Sequence, residues 1–295
     1  MFKGSIPALV TPMKSGGAID LPAWDRLLDF HVASGTDGVV VGGTTGESPT
    51  LERAELEELV RRAKMRLAGR MPVIAGSGTN STAKTIALSK AVEAAGADAL
   101  LLVTPYYNKP TQEGLYLHFT AVADAVGIPI ILYNVPGRTG CDMVPATIAR
   151  LSHHPRIVGV KEATGELTRA EPILRDSKRG FQLIGGDDPT AAQLMKLGAC
   201  GVISVTANVA PRAMREMCAA ALAGRHAEAI SLNEALMPLH TAMFVEANPI
   251  PVKWAVERMG LIGPGIRLPL TPLADRFHGE VAAAMTTVGI LPVAA

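Results

Sequence analysis

Short apolar stretches rich in Val, Ile, Leu and Ala recur along the chain at a nearly even interval. Between them lie stretches with helical periodicity; in LERAELEELVRRAKMRLAG one helix face is marked by Leu56, Leu59, Val60, Ala63 and Leu67. Several helical stretches end at glycine, as in ASGTDG and KLGACG, where glycine can adopt the left-handed conformation that terminates a helix. The apolar stretches are residues 6–10, 38–41, 72–75, 99–103, 129–133, 157–161, 182–184 and 201–205. This order predicts a β-strand followed by an α-helix, repeated eight times.

Strands that are almost continuously apolar are typical of a parallel sheet covered on both faces. Eight such units close most naturally into an α/β fold of the (β/α)8 TIM barrel type, and a doubly wound open sheet is the alternative. The chain continues for more residues after the eighth strand than one helix needs. We therefore expect a catalytic barrel over residues 1–224 and a C-terminal helical extension over residues 225–295 that packs on the barrel.

The charge balance argues against polyanionic partners. There are 28 basic and 27 acidic residues, and no run of like charges that would recruit nucleic acid or an anionic membrane. The longest apolar runs are too short to span a bilayer, and the N-terminus lacks a small-residue cleavage site after an apolar core. These features predict a cytoplasmic protein whose partners are small molecules.

Metal-ligating residues are sparse and scattered. The three cysteines, Cys141, Cys200 and Cys218, have no disulfide or zinc-site spacing, and the seven histidines offer no pair at ligand spacing. His153 and His154 are adjacent, so their side chains point apart on a helix or strand. The sequence therefore implies no metal.

A lysine stands at the end of the apolar stretch in IVGVKEATG. Strand alternation places Ile157 and Gly159 on the face of Lys161, and Val158 and Glu162 on the other, so Glu162 should not neutralise it. With Gly159 leaving room for its stem, a desolvated Lys161 amine would be unprotonated and nucleophilic near neutral pH, as in a Schiff-base enzyme. The alternative is an amine that reaches solvent or a carboxylate elsewhere.

A tyrosine ends the preceding strand. By the same alternation Tyr133 shares a face with Ile131, so it should point into the barrel near Lys161. A positioned phenol can act as a general acid and base while an imine forms. Plain packing is the other interpretation of a tyrosine that caps a strand.

The GGTTGES segment follows the second strand. Its backbone N–H groups and the hydroxyls of Thr44 and Thr45 would make a small anion nest that suits a carboxylate. It lacks the endings of a phosphate loop and of a dinucleotide-binding turn, which disfavours nucleotides. A tight turn with a threonine cap remains the alternative.

Together these motifs resemble the pyruvate-dependent class I aldolase family. The resemblance runs through GSIPALVTPM, HVASGTDG, GTTGES, VTPYYNKPTQEGLY, ILYNVPGRTGCD, GVKEATG, GVISVTANVAP, NPIPVKWA and IRLPLTP. It implies an imine between Lys161 and pyruvate, and a proton relay through Thr44, Tyr133 and Tyr107, the last from a neighbouring subunit. It implies no cofactor and a homotetramer built as a dimer of dimers.

The resemblance also implies how the substrates are held. Thr45 would bind the pyruvate carboxylate, and Arg138 would receive the carboxylate of aspartate 4-semialdehyde. Gly186 and Ile203 are expected to contact substrate as well.

Two other functions stay open. A sister aldolase that cleaves sialic acid or a keto-deoxy sugar acid would share Lys161 and Tyr133, but such lyases usually lack an arginine at the position of Arg138. A semialdehyde that carries its own carboxylate needs that cation. A catalytically idle barrel that serves as a binding protein is the more distant alternative, and the joint presence of these residues argues against it.

Many relatives are inhibited by lysine at a subunit interface. The resemblance assigns that site to Ser48, Pro49, Arg53, Leu56, Asn80, Lys84 and Tyr106. Sensitive members usually have histidine or tryptophan at the position of Leu56 and glutamate at that of Lys84. Because Lys84 would place a like charge against the effector's amines, we expect weak or absent feedback inhibition.

Overall fold

A single parallel sheet is the centre of the fold. The structure is a computed structural model, and it describes residues 2–290. Within this range the strands are β1 (Gly4–Pro7), β2 (Val39–Val41), β3 (Val73–Gly76), β4 (Ala99–Val103), β5 (Ile130–Asn134), β6 (Ile157–Glu162), β7 (Gln182–Gly185) and β8 (Gly201–Ser204). Their order in the sheet is β1-β8-β7-β6-β5-β4-β3-β2, so each strand pairs with its neighbours in the sequence and β1 pairs with β8.

The sheet closes on itself between β1 and β2. A parallel bridge joins Ala8 to Val40, and the Leu9 N–H donates to the Val40 carbonyl at 3.0 Å. The predicted (β/α)8 barrel is therefore confirmed, and the open doubly wound sheet is excluded. In a closed parallel barrel all strand C-termini meet at one end, which brings the loops after the strands together.

Helices cover the outside of the barrel. They are α1 (Leu21–Ala33), α2 (Arg53–Leu67), α3 (Thr82–Ala94), α4 (Gln112–Ala125), α5 (Pro136–Thr139), α6 (Pro145–Ser152), α7 (Ala170–Asp176), α8 (Ala191–Lys196), α9 (Pro211–Leu222), α10 (His226–Ala242), α11 (Ile250–Arg258) and α12 (His278–Thr287). Helix α2 begins with a capping box between Glu52 and Glu55. Gly35, Gly96 and Gly198 follow helices with positive φ, as predicted for helix-terminating glycines. Helix α10 packs against α8 and α9, and α12 packs against α10 and α11.

The strand positions agree closely with the hydrophobic pattern. Seven predicted strands lie within one residue of the observed bounds, whereas β1 begins at Gly4 rather than at Ile6. The difference arises because β1 pairs with β8 from Gly4 opposite Gly201, where a Cβ on Gly201 would lie 2.3 Å from the Gly4 carbonyl oxygen. A pairing that depends on glycine leaves no trace in a pattern of apolar side chains.

Strand alternation divides the core into two layers. One layer lies between the strands and the helices. The other fills the barrel interior and includes Ile6, Val40, Ile74, Leu101, Ile131, Tyr133, Ile184 and Ile203. Ile203, one of the expected site residues, thus lies inside the barrel. None of the helices described within residues 2–290 is long and apolar enough to cross a membrane.

A buried histidine makes the fold sensitive to acid. His31 of α1 is fully buried; its Nδ1 lies 3.2 Å from Thr36 Oγ1, and its Nε2 has no partner in the part of the chain that the structure describes. Burial lowers the pKa of His31 from 6.5 to about 3, because a charged ring would lose its hydration. The unfolded chain therefore binds a proton between these values that the folded chain does not bind, so stability is lost as the pH falls below 6.5.

Because of His31, we expect the free energy of unfolding to fall by about 2 kcal/mol when the pH is lowered from 7 to 5. In urea unfolding at the two pH values, His31→Gln should reduce the pH dependence by that amount, even if its absolute stability is lower. His153→Gln, at an exposed ring, is the matched control and should leave the pH dependence unchanged. An equal pH dependence in wild type and His31→Gln would contradict the assignment.

Candidate active site

Lys161 and Tyr133 lie side by side at the carboxyl ends of β6 and β5. The two residues are paired in the strand register, and each is only 6% exposed. Lys161 Nζ lies 4.3 Å from the centroid of the Tyr133 ring. Within residues 2–290 no carboxylate pairs with this amine. The structure therefore brings together the two residues that the sequence placed on one face.

The strand that carries Lys161 is irregular at its start. The register with β5 shifts so that Ile130 pairs with Ile157 and Ile131 pairs with Gly159. Val158 is the extra residue of a β-bulge, and it packs with the barrel interior whereas Ile157 packs against the helices. The predicted placement of Ile157 on the face of Lys161 is therefore wrong, because a bulge reverses the alternation at that point.

Room for the lysine stem comes from a different glycine than expected. A Cβ on Gly159 would meet the Gln182 carbonyl oxygen at 2.6 Å, so the space over Gly159 is filled by the neighbouring strand. A Cβ on Gly186 would lie 2.8 Å from Lys161 Cε and 2.5 Å from Ala163 Cβ. Gly186, in the loop after β7, is thus the residue that leaves space for the Lys161 stem.

Glu162 faces away from Lys161, as predicted. Its carboxylate accepts a hydrogen bond from Arg169 Nε at 3.2 Å and another from the Thr164 N–H at 3.0 Å. The Glu162 carboxylate therefore makes its hydrogen bonds on the outside of the barrel and does not pair with Lys161.

An open cavity of about 490 Å³ lies above the strand ends. Its lining includes Thr44, Arg138, Ser48, Arg53, Lys84 and Tyr106. A smaller adjoining pocket of about 30 Å³ is lined by Tyr133 and shares Thr44 with the larger one. Thr44 thus lies at the boundary of the two pockets, together with Ser48, Gly76, Gly78 and Val103. Most positions that the resemblance assigns to an effector line the same cavity, and the expectation of weak inhibition stays a prediction.

The GGTTGES segment forms two short turns of 3-10 helix, Thr44–Gly46 and Ser48–Thr50. Glu47 joins them in the left-handed region at φ 58°. The N–H groups of Gly46, Glu47 and Ser48 donate to carbonyls within the segment, so these three amides take no part in an anion nest. The N–H groups of Thr44 and Thr45 donate to no acceptor among residues 2–290, and they remain available for an anion together with the two threonine hydroxyls.

Thr45 is held from the far end of the chain. Its Oγ1 accepts a hydrogen bond from Asn248 Nδ2 at 3.0 Å, and it is almost fully buried. The Asn248 carbonyl in turn accepts a hydrogen bond from Arg138 Nη2 at 3.3 Å. Asn248 therefore connects two residues that the sequence assigned to substrate binding.

A buried ion pair fixes the same segment. Lys253 Nζ contacts Glu47 Oε1, and the two side chains are 5% and 0% exposed. Glu47 Oε2 also accepts the Arg267 N–H at 3.1 Å. Burial lowers the pKa of Lys253 below its usual range, and the Glu47 carboxylate opposes that effect. Glu47 lies in the quoted motif GTTGES, and Asn248 and Lys253 lie in NPIPVKWA, but no role was predicted for them. The signals for them were these motifs and a lysine within an apolar segment.

Tyr107 does not reach this site within its own chain. It is 89% exposed, and its backbone has φ 74° in the loop after β4. Among the described residues, no group of three or more His, Cys, Asp and Glu side chains is arranged to hold a metal ion.

A lysine and a tyrosine at the carboxyl end of a (β/α)8 barrel define the class of the lysine-dependent aldolases. The model of the dihydrodipicolinate synthetase family matches residues 1–288, and the chain belongs to that family. The resemblance seen in the sequence is thereby confirmed.

Relatives of known name cover almost the entire chain. A 4-hydroxy-tetrahydrodipicolinate synthase of Stutzerimonas stutzeri is 57% identical over 291 residues, which are 99% of this chain and 100% of the relative. The chloride-inhibited dihydrodipicolinate synthase of Acinetobacter baumannii, solved in complex with pyruvate, superposes with a TM-score of 0.97 at 49% identity, covering 99% of this chain and 100% of that one. The dihydrodipicolinate synthase of Thermotoga maritima gives a TM-score of 0.96 at 41% identity, with coverage of 99% and 100%.

The ion pair between Lys253 and Glu47 should stabilise the fold mainly because either charge, if unpaired in the interior, would be costly. Lys253→Met is expected to lower the free energy of unfolding by about 3 kcal/mol or more, since it strands the Glu47 carboxylate in the interior. Adding Glu47→Gln should recover most of that loss.

Arg225→Met, which breaks the exposed pair with Glu228, serves as the control and should change stability little. Chemical denaturation of the wild type and of the three variants measures all these effects. If the single and double variants at Lys253 were equally unstable, the ion pair would not be the reason.

Proposed function

We propose that this protein condenses pyruvate with L-aspartate 4-semialdehyde to give 4-hydroxy-tetrahydrodipicolinate, a step of lysine and diaminopimelate biosynthesis. The reaction proceeds through a Schiff base on Lys161. The observation that carries the proposal is the buried Lys161 amine, which faces Tyr133 and is paired with no described carboxylate. Relatives that match nearly the whole chain have this activity as their name.

The first half of the reaction builds a nucleophile from pyruvate. Lys161 Nζ attacks the C2 carbonyl, and the carbinolamine loses water to give an imine. Tyr133, whose ring lies beside the amine, carries the protons to and from the carbinolamine oxygen. Loss of a proton from the pyruvate methyl group then gives an enamine.

The second half forms the ring. The enamine carbon attacks the aldehyde of the semialdehyde, and the new alkoxide takes up a proton. The α-amine of the condensed product then attacks the imine carbon and displaces Lys161. This transimination closes the six-membered heterocycle and regenerates the free lysine.

The surrounding residues have supporting roles in this proposal. Because Thr45 Oγ1 accepts a hydrogen bond from Asn248, its own hydroxyl hydrogen is available to donate to the pyruvate carboxylate. Thr44, at the boundary of the two pockets, relays protons to solvent. Gly186 keeps the lysine stem in place, and Ile203 contributes to the wall of the barrel interior near the substrate.

Tyr107 completes the relay from a second subunit. An aromatic side chain that is 89% exposed beside the cavity loops supports a contact between copies of the chain. The homotetramer expected from the sequence, built as a dimer of dimers, and the cytoplasmic location belong to the same proposal.

A sister aldolase that cleaves N-acetylneuraminate is the competing function. Arg138 favours the synthase, because its guanidinium lines the cavity where a second carboxylate would bind. Steady-state assays with pyruvate plus aspartate 4-semialdehyde and, separately, with N-acetylneuraminate test the choice. We expect turnover in the first assay only; efficient cleavage of N-acetylneuraminate without condensation would refute the proposal.

Replacing Arg138 should harm the second substrate selectively. We expect Arg138→Leu to raise the KM for the semialdehyde by about 10²-fold, because its carboxylate would lose its charged donor. The KM for pyruvate should change little. Arg53→Leu is the matched control, since Arg53 lines the same cavity but is already paired with Glu57 at 2.6 Å. An Arg138→Leu enzyme that lost affinity for pyruvate and kept that for the semialdehyde would contradict the assigned role.

A further inference from the structure

A second layer of polar residues lies directly behind the lysine and the tyrosine. Asn134 follows Tyr133 and Glu162 follows Lys161, so both point to the outside of the barrel. The two are paired in the register of β5 and β6, and Asn134 Nδ2 lies 3.3 Å from Glu162 Oε2. Both side chains are buried. Polar groups buried in this position need defined partners.

Those partners come from the segment after β5. Asn134 Nδ2 donates to Asp142 Oδ1 at 2.8 Å, and Asn134 Oδ1 accepts the Met143 N–H at 2.9 Å. This segment therefore packs against the end of β5 through a side chain that is adjacent to Tyr133.

One arginine joins the whole layer. Arg169 precedes α7, and its side chain is 11% exposed. Its Nε donates to Glu162 Oε2 at 3.2 Å. Nη1 donates to Asp142 Oδ2 at 3.1 Å, and Nη2 donates to Asp142 Oδ1 at 3.0 Å. Nη2 also donates to the Met143 carbonyl at 2.8 Å. All three guanidinium nitrogens are thus bonded, which holds the side chain in one geometry.

We propose that Arg169 is a positioning residue for the Schiff-base reaction. Through its bond to Glu162 it holds the end of β6, and through Asp142, which is bonded to Asn134, it holds the end of β5, so that Lys161 and Tyr133 face each other in the barrel. It also compensates the Glu162 carboxylate, which would otherwise be an unpaired charge one residue from the reacting amine. Arg169 lies behind the strands and does not contact the substrate. This inference rests on the proposed function.

The experiment compares two arginines that make the same kind of contact. Arg62 forms a two-point ion pair with Asp25 at 2.7 and 2.6 Å between α2 and α1, and neither residue lines the cavity. Arg169→Met and Arg62→Met are measured for thermal stability, for pyruvate KM, and for the single-turnover rate of the borohydride-trapped pyruvate adduct.

If Arg169 positions the reacting pair, Arg169→Met slows adduct formation at saturating pyruvate by at least about 10-fold, on the scale of a misplaced catalytic group. Its pyruvate KM stays within about threefold of wild type, and Arg62→Met, which breaks a more exposed ion pair, keeps the wild-type rate. Equal adduct rates in the two variants would overturn the proposal.

A second variant and a second measurement cover the cases in which Arg169→Met does not fold or the wild type forms no adduct. If Arg169→Met does not fold, Arg169→Lys, which keeps the charge but loses the two-point contact, should fold and show a reduced rate; a folded Arg169→Lys with the wild-type rate refutes the role. If the wild-type protein forms no adduct, the proposed function fails. The clamp is then judged by hydrogen exchange of the β5 and β6 ends, where unchanged exchange in Arg169→Lys relative to wild type refutes it.

Discussion

The site depends on one constraint: a lysine stem must enter a packed barrel interior while its amine stays free of any carboxylate. Burying an ammonium is costly unless it is paired, and here Lys161 has no paired acid among the described residues. The surrounding structure satisfies this constraint. Gly186 gives the stem its space, and the acidic neighbour Glu162 is turned outward and bonded to Arg169. This arrangement is the one on which the proposed addition of the Lys161 amine to pyruvate depends.

A second buried lysine shows the other solution to the same problem. Lys253 also lies in an apolar stretch, but Glu47 neutralises it, and the pair connects the C-terminal helices to the GGTTGES turn. With Asn248 bonded to Thr45, the C-terminal segment thus stabilises the loop that carries the two threonines. In the proposed reaction the lysine without a partner forms the Schiff base, whereas the lysine with a partner connects the C-terminal helices to the turn that carries Thr44 and Thr45.

The sequence predicted the barrel because buried parallel strands and glycine-terminated helices are local patterns. It also predicted that Lys161 and Tyr133 would be neighbours, because the alternation of side chains along a strand is a local pattern as well. It could not predict the β-bulge at Val158, which reverses that alternation. The sequence also assigned the space for the lysine stem to Gly159, and this was wrong. Gln182 of β7 fills the space over Gly159, and Gly186 after β7 leaves the space instead; both contacts are between strands, so the sequence of β6 alone does not reveal them. The contacts of Asn248 and Lys253 join segments that are distant in the chain, and no local pattern encodes them.

The Schiff base on Lys161 is tested most directly by finding the residue to which pyruvate becomes covalently attached. The protein is incubated with pyruvate, reduced with borohydride, digested, and the modified peptide is located by mass spectrometry. We expect a single modified lysine, Lys161, and no adduct in Lys161→Ala. An adduct on Lys253 or on any other lysine of the active wild-type protein would contradict it.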